Sequence, residues 1–430
     1  MTASDITAID FVPTIPFVRG RHVAAVTMGN ALEFYDFLTY AFFAPQIGRT
    51  FFPSADASAS LLAALATFGA GFLMRPVGAL VIGRIGDRAG RKPAMLLTFM
   101  LMGVAMIGLA LTPSHRAIGV AAPILAILFR LIQGFALGGE IGPNTAYLVE
   151  AAPPHRRGLY VSMQYMSQDA SILVSGLVGF ALATYLSDNQ LDDWGWRVAF
   201  LLGAAIVPFG LILRRQLVET LHSPARQAQS LAAQAPRLRT IATLGIVLLA
   251  GGTVASYLQD YLTTYATATL HMSTRTGFLS TIAVGAFGAV CDPIGGWLSD
   301  RFGRKPVMVV PWLVLLVIAV PGFWLTAHYR TTGALIGLTA AITVCACIAE
   351  ASILVSVTES LPAKIRCGSL GLIYALAISV FGGTAQFAVA WLTDITGSPL
   401  APAWYLTGAV AITLVAMWHM PESAPRKQVC

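Results

Sequence analysis

Two arginines, Arg75 and Arg130, stand within long apolar stretches of the sequence, where a charged side chain is costly. A guanidinium group donates paired, charge-assisted hydrogen bonds to a carboxylate, so either arginine could hold an anionic ligand. The alternative is a permanent structural ion pair with an acidic residue such as Glu33, Asp36 or Glu140. Residue types alone leave both interpretations open.

Acidic residues in the same apolar stretches could carry a proton. Glu33 and Asp36 are three residues apart, so in a helix they share one flank, with Tyr40 one turn further. Binding or release of an anion at a nearby arginine would change the proton affinity of such a carboxylate. We predict Asp36 as the proton carrier, followed by Glu33, Glu140 and Asp169; the alternative for each is a hydrogen bond between helices.

Three polar side chains in another apolar stretch, Ser162, Gln164 and Gln168, could complete an anion site together with Tyr40. Gln164 and Gln168 are one helical turn apart and face the same way, so both amides could donate to carboxylate oxygens. The alternative is that these side chains tie helices together. The sequence therefore predicts a substrate site whose positive charge comes from the two arginines.

The elements that must position these residues are membrane-spanning helices. The 430 residues are 56% hydrophobic and only 11% charged, too few charges for the surface of a soluble domain. Apolar segments of about 20 residues, enough to cross about 30 Å of hydrocarbon, recur along the chain. They predict an all-α membrane protein with twelve transmembrane helices, near 22–45, 58–83, 93–113, 118–150, 157–187, 195–214, 240–267, 275–298, 306–327, 332–360, 367–393 and 402–420.

Basic residues between the predicted helices are distributed unevenly. Two of the 27 lysines and arginines lie within helices, and 20 lie on the side of the N-terminus. The opposite side holds only five, which are Arg49, Arg116, Arg197, Arg275 and Arg330. The positive-inside rule therefore predicts that both termini are cytoplasmic. The net charge of +7 is explained as a topology signal, and no nucleic-acid partner is predicted.

One loop sequence occurs twice. GRIGDRAGRK at 83–92 follows the second predicted helix, and GWLSDRFGRK at 296–305 follows the eighth, 213 residues later. Glu150 and Glu359, after the fourth and tenth helices, repeat at a similar offset of 209 residues. Repeats at nearly one offset predict two six-helix halves. Their boundaries are 1–214 and 240–430, joined by a cytoplasmic linker at 215–239.

The repeated loop suggests a gate. Its aspartate and its basic cluster could pair across the ends of helices when that side is closed, and separate when it opens. The alternative is that the basic residues only anchor the topology. The predicted gating residues are Asp87, Arg88, Arg91, Asp300, Arg301, Arg304, Glu150 and Glu359.

The two copies of this loop resemble those of the major facilitator superfamily. The resemblance covers essentially the whole length of the chain. Finer motifs resemble the metabolite:proton symporters of this superfamily: GNALEFYDF at 29–37, RPVG at 75–78, RLIQGFALGGE at 130–140, and Tyr374 followed by FGG at 381–383. The sequences SMQYMSQ at 162–168 and YLTTYA at 261–266 are similar to those of citrate and tricarballylate carriers.

This resemblance implies a proton-coupled symporter of the bacterial inner membrane that imports an organic anion, a di- or tricarboxylate such as citrate, by alternating access. It adds Tyr261 to the expected substrate contacts. Asp169 departs from the family pattern, standing where an amide is expected, and Asp292 is an unexpected charge. Asp260 is expected near the periplasmic end of the seventh helix, without a role, and Glu350 has no assigned role either.

Other functions compete with this one. They are symport of a zwitterionic osmolyte or an aromatic acid, ligand sensing by a membrane receptor, and catalysis by a membrane enzyme. An enzyme is disfavoured because no His/Asp cluster, nucleophile–base pair or phosphate loop appears, and a receptor because no signalling domain appears. The five cysteines lack metal-ligand spacing, so no metal or cofactor is predicted. The expected partners are an organic anion, a proton and the lipid bilayer, and we expect a monomer.

Overall fold

A computed structural model describes residues 20–89, 91–215, 235–361 and 366–424. These residues form helices joined by short turns, and no strand occurs among them. Twelve long helical segments follow in chain order: α1 (Gly20–Phe42), α2 (Ala57–Leu73 and Arg75–Arg88), α3 (Arg91–Leu111), α4 (Ala121–Ala151), α5 (Arg157–Tyr185), α6 (Trp196–Arg215), α7 (Ala235–Thr264), α8 (Thr274–Phe302), α9 (Arg304–Tyr329), α10 (Thr332–Ser360), α11 (Arg366–Thr396) and α12 (Ala401–His419).

Ten of these segments are long and apolar enough to cross a membrane, and the other two are α1 and α6. Many bulky apolar side chains on them point outward; for example, Leu73 and Val317 are 69% and 70% exposed. Such a surface is stable in hydrocarbon, where only the helical backbone must satisfy its own hydrogen bonds. The predicted all-α, twelve-helix membrane fold is confirmed, whereas the division at 214 and 240 stays a prediction.

Helix α2 is interrupted where it approaches α11. Pro76 has no N–H, so the carbonyl of Phe72 loses its usual partner four residues later. The helix breaks at Met74, and the hydroxyl of Ser379 on α11 donates to the Phe72 carbonyl over 2.8 Å. The break thus provides a contact between the first six and the last six helices.

Glycines bring α2 and α4 into backbone contact, and this contact positions the two buried arginines. A Cβ atom at Gly134 would overlap the carbonyl oxygen of Gly71, and one at Gly138 would overlap that of Arg75. The carbonyl oxygen of Arg130 lies 2.9 Å from the position of a Cβ at Gly71. Small residues of this kind allow close helix packing in membranes. Both arginines therefore start from the tight seam between α2 and α4.

Helices α5 and α8 pack together along most of their length and form the main seam between the two sets of six helices. Near the repeated loops, a Cβ at Gly158 or at Gly296 would lie 2.6 Å from the carbonyl oxygen of the other residue. At the other end, the guanidinium of Arg275 donates to the carbonyls of Ala183 and Thr184, each over 3.2 Å. The seam is thus held at both ends of the bundle.

The second copy of the repeated loop contains one position that requires glycine. Gly303 ends α8 with φ +102° and ψ +162°, a backbone conformation that side chains with a Cβ rarely adopt. Helix α9 begins immediately afterwards at Arg304. The sharp turn directs the Arg304 side chain back into the bundle, where it is only 1% exposed. We call the end of the bundle that carries this loop the motif end.

Candidate functional site

A central cavity of about 80 Å³ lies between the two sets of six helices. Its wall is formed by α1, α5, α7, α8, α10 and α11. The polar side chains lining it, tyrosines included, are Tyr165, Gln168, Asp169, Thr253, Ser256, Tyr257, Gln259, Asp260, Cys347, Glu350 and Tyr374. These groups offer hydrogen-bond donors and acceptors inside an otherwise apolar bundle, and such groups orient the ligand in small-molecule sites.

The guanidinium of Arg130 lies in an aromatic layer beside this cavity. Its central carbon is 4.4 Å from the ring centre of Phe37, 4.5 Å from that of Tyr40 and 4.9 Å from that of Phe68. One of its nitrogens donates to Oε1 of Gln133 over 2.5 Å. Aromatic faces stabilise a desolvated cation by about 2 kcal/mol or more. Arg130 is fully buried and does not line the cavity.

Arg75 occupies the same layer and reaches the cavity wall through a tyrosine. Its guanidinium carbon is 4.0 Å from the ring centre of Phe72 and 4.7 Å from that of Phe37. One of its nitrogens donates to the hydroxyl of Tyr257 over 3.5 Å, and Tyr257 lines the cavity. The two predicted arginines are therefore brought together around Phe37, with Tyr257 between Arg75 and the cavity.

The three polar residues predicted on α5 have different surroundings. Gln168 lines the cavity, is 8% exposed, and its Nε2 has no hydrogen-bond acceptor among the described residues. Gln164 accepts a hydrogen bond from Thr145 on α4 over 2.9 Å. Ser162 donates to the carbonyl of Leu159 over 2.8 Å, near the motif end. Of the three, only Gln168 faces the cavity.

The two predicted tyrosine contacts are also separated. Tyr40 is fully buried and lies against Arg130 in the aromatic layer. Tyr261 lines a second cavity of about 370 Å³ at the end opposite the motif end, together with Arg330 and Asp394. Tyr40 thus joins the predicted arginine site, whereas Tyr261 does not reach the central cavity.

The wall of the cavity also carries acidic side chains. It includes Asp169 from α5, Asp260 from α7 and Glu350 from α10, whose carboxylate accepts a hydrogen bond from Ser256 over 2.5 Å. Asp260, expected near the periplasmic end of its helix, lies in the wall of the central cavity, and its helix continues through a π-helical turn to Thr269. No role is predicted from the sequence for Asp260 or Glu350, although both are acids in apolar helices.

A fourth acid, Asp292 of α8, lies behind this wall. One oxygen each of Asp169 and Asp292 and the sulfur of Cys347 all lie within 4.8 Å of one another. The Cys347 thiol contacts the Asp169 carboxylate at 3.4 Å. The three residues come from α5, α8 and α10, so no spacing in the sequence indicates that they meet.

The other predicted proton carriers lie outside this group. Glu140 is buried in α4 and accepts a hydrogen bond from Asn144, one turn further along the same helix, over 2.6 Å. The side chains of Glu33 and Asp36 lie outside the described part of the structure. Their helix, α1, contributes Phe34 and Leu38 to the cavity wall.

At the motif end, Asp300 connects the two sets of six helices. Its two carboxylate oxygens accept hydrogen bonds from the backbone N–H groups of Gly158 and Leu159, both over 2.9 Å. These N–H groups are at the start of α5, where the helix has unsatisfied donors and a partial positive charge. Asp300 also pairs with Arg304 over 2.7 Å.

Glu359 of α10 completes this network. It receives two hydrogen bonds from the Arg304 guanidinium, each 3.2 Å long, and one from Ser423 over 2.9 Å. Arg157 at the start of α5 approaches it at 3.9 Å. Glu422 accepts from the backbone N–H of Arg304 over 2.9 Å, so the last described residues also join the network. Three predicted gating residues, Asp300, Arg304 and Glu359, are thus in contact.

The remaining predicted gating residues take no described part in this network. Arg301 is exposed, with its guanidinium carbon 5.3 Å from the ring centre of Trp297 and 5.5 Å from that of Phe302. The structure does not describe the side chains of the other four, which are Asp87, Arg88, Arg91 and Glu150.

Comparisons with known proteins agree with this architecture. The chain matches the family described as "Sugar (and other) transporter" over residues 22–230 and again over 213–427. It is 35% identical to a citrate-proton symporter of Klebsiella pneumoniae, with 98% of this chain and 96% of that protein covered. It is 34% identical to the alpha-ketoglutarate permease of Escherichia coli, with 92% and 93% covered.

A solved structure shows the same fold at lower sequence identity. The proton:xylose symporter XylE of the major facilitator superfamily superimposes with a TM-score of 0.76 at 20% identity. The alignment covers 94% of this chain and 96% of the xylose symporter. Taken with the duplicated loop, the twelve helices and the cavity between the two sets of six, these similarities show that the chain belongs to the sugar (and other) transporter family of the major facilitator superfamily.

Proposed function

We propose that the protein is a proton-coupled symporter that imports an organic anion, a di- or tricarboxylate such as citrate, by alternating access. The observation that carries this proposal is the pair of buried arginines around Phe37, directly beside the central cavity. Two guanidinium groups in one apolar layer suit a ligand with several carboxylates. The names of the citrate and alpha-ketoglutarate relatives support the same substrate class.

Substrate recognition would begin at the cavity wall. The free donor of Gln168 and the hydroxyl of Tyr257 face a carboxylate that enters the cavity. Movement of Tyr257 would open the way from the cavity to Arg75. An ionised partner forms a stronger hydrogen bond with a guanidinium than a phenol does, so the substrate would replace the tyrosine contact. Arg130 would then also contact the substrate as the aromatic side chains around it rearrange.

We propose that the Asp300 network is the gate at the motif end and that this end faces the cytoplasm. The network joins the start of α5 to α8, α9 and α10, so it must separate before the two sets of six helices can move apart there. Proton coupling is assigned first to Asp36, with Glu33, Glu140 and Asp169 as the further candidates. Of these, Asp169 lines the cavity.

Uptake by proteoliposomes tests this function. Purified protein is reconstituted, and uptake of labelled citrate is measured with and without an inside-alkaline pH gradient. We expect accumulation only with the gradient, competition by unlabelled di- and tricarboxylates, and no competition by betaine. Arg75→Gln should abolish uptake, whereas Arg301→Gln, which removes an exposed arginine, should not. Competition by betaine but not by any carboxylate would contradict an organic-anion substrate.

A further inference from the structure

We propose that Asp169 and Asp292 form a proton-binding site shared by the two sets of six helices, and that its proton moves with the substrate. This inference deepens the proposed function, on which its transport test depends. It adds to that function a fully buried residue, Asp292, and a site built by the seam between α5 and α8.

The packing of α8 makes room for the Asp169 carboxylate at this seam. A Cβ at Gly288 would overlap Oδ2 of Asp169, and a Cβ at Gly285 would lie 2.6 Å from the Asp169 carbonyl oxygen. Asp292 is one helical turn beyond Gly288, so it stands directly beside the carboxylate that occupies this slot. Cys347 contacts the same carboxylate from α10. The two aspartates are thus held together by backbone packing.

The surroundings of Asp292 favour the binding of a proton by the aspartate pair. Its side chain is fully buried, and neither carboxylate oxygen has a hydrogen-bond donor among the described residues. Neither aspartate makes an ion pair with a described lysine or arginine. Two ionised carboxylates this close inside a membrane would carry both the cost of burial and that of mutual repulsion. One shared proton removes one charge and supplies the missing hydrogen bond.

The other groups that face the pair strengthen this requirement. From α5, α7, α8, α10 and α11, the titratable side chains that interact with the pair or its immediate neighbours are Tyr165, Asp260, Cys291, Cys347, Glu350 and Tyr374. All of them are neutral or negative. Among the described cations, Arg75 acts on Tyr257 and Tyr374 and Arg130 acts on Tyr257, whereas neither arginine acts on the two aspartates. No described positive charge compensates the aspartates directly.

The position of the pair links its proton to the substrate and to movement. Asp169 lines the cavity beside Gln168, whose Nε2 has no hydrogen-bond acceptor among the described residues and is free to donate to a ligand. A proton can therefore reach Asp292 from the cavity through Asp169. With the proton bound, α5 and α8 can stay in contact; without it, two negative charges face each other across the seam. Loss of the proton would favour separation of the two sets of helices.

Infrared spectroscopy tests the site without any substrate. The reconstituted full-length protein should show the carbonyl band of a protonated carboxylic acid, which shifts in D₂O. Asp292→Asn and Asp169→Asn should each remove the contribution of the pair and so lower the intensity of this band. Asp394→Asn, an exposed acid on α11, should leave it intact. A band of unchanged intensity in both pair variants would overturn the proposal, as would one-to-one Zn²⁺ binding to the wild type that Asp292→Asn abolishes.

Coupling is then measured at zero membrane potential. Each coupled proton multiplies the limiting accumulation of substrate by about ten for a pH difference of about one unit, because the two gradients balance. Asp292→Asn should therefore lower citrate accumulation about tenfold while preserving citrate counterflow. Gly288→Ala, which keeps both carboxylates but displaces Asp169, should do the same. Unchanged accumulation in both variants would refute the coupling role of the pair. If the wild-type protein transports no carboxylate, the proposed function is refuted, but the infrared result remains valid.

Discussion

Replacement of Asp300 by asparagine is the sharpest test of the gate at the motif end. The wild-type carboxylate accepts from Gly158 N–H and Leu159 N–H, each over 2.9 Å, and from Arg304 over 2.7 Å. Asparagine keeps the shape of the side chain, but one of its two terminal atoms becomes a donor. One N–H at the start of α5 therefore loses its acceptor, and Arg304 loses part of its charge compensation.

The size of the effect follows from these contacts. A hydrogen bond to a charged group contributes about 1.5–3 kcal/mol, and a negative charge at a helix N-terminus contributes about 0.3–1 kcal/mol. Loss of one such bond and of the charge should destabilise the closed gate by about 2–4 kcal/mol. This corresponds to about a 30- to 900-fold shift toward the open motif end. Arg304 keeps its two hydrogen bonds to Glu359, so the fold should persist.

Alkylation of a native cysteine measures this shift. Cys347 is 4% exposed and lines the central cavity, so a membrane-impermeant maleimide can reach it from the motif side only when that end opens. The rate of Cys347 modification, followed by mass spectrometry of its peptide, should rise with the open fraction until the chemical step becomes limiting. Arg301→Gln, in the same loop but outside the network, is the control. A rate for Asp300→Asn no higher than that of this control would refute the gate.

Three further predictions follow from the arginine site, the helix packing and the topology. Arg130→Gln should weaken citrate binding about 10- to 150-fold in counterflow, through loss of a charged hydrogen bond. Asp36→Asn should keep counterflow and lower gradient-driven accumulation; the reverse pattern would exchange the two roles. Gly134→Ala should lower the thermal unfolding temperature because the new Cβ overlaps the carbonyl oxygen of Gly71. Gly408→Ala is the control, since nothing lies within 4 Å of a Cβ there. Equal unfolding temperatures for the two variants would contradict the tight contact between α2 and α4. A reporter fused to the C-terminus should report a cytoplasmic location, and a periplasmic signal would reverse the assigned orientation.

The twelve helices could be predicted because each depends on its own segment of sequence. A run of about 20 apolar residues must span the hydrocarbon as a helix whatever its neighbours do. The predicted segments 157–187 and 332–360 agree closely with Arg157–Tyr185 and Thr332–Ser360. The repeated loop likewise indicated that Asp300 takes part in contacts at the end of the bundle, since a charge there requires partners.

The sequence by itself thus determined the membrane fold, the number of helices and the charged residues that need an explanation. Only the tertiary structure decided which of them meet, because the rotation of each helix is set by packing against others far along the chain. Gln164 and Gln168 are one turn apart, yet one contacts Thr145 on α4 and the other faces the cavity. Asp169 and Asp292 lie on different helices and meet because glycines on α8 leave room for a carboxylate, a fit that no local pattern encodes.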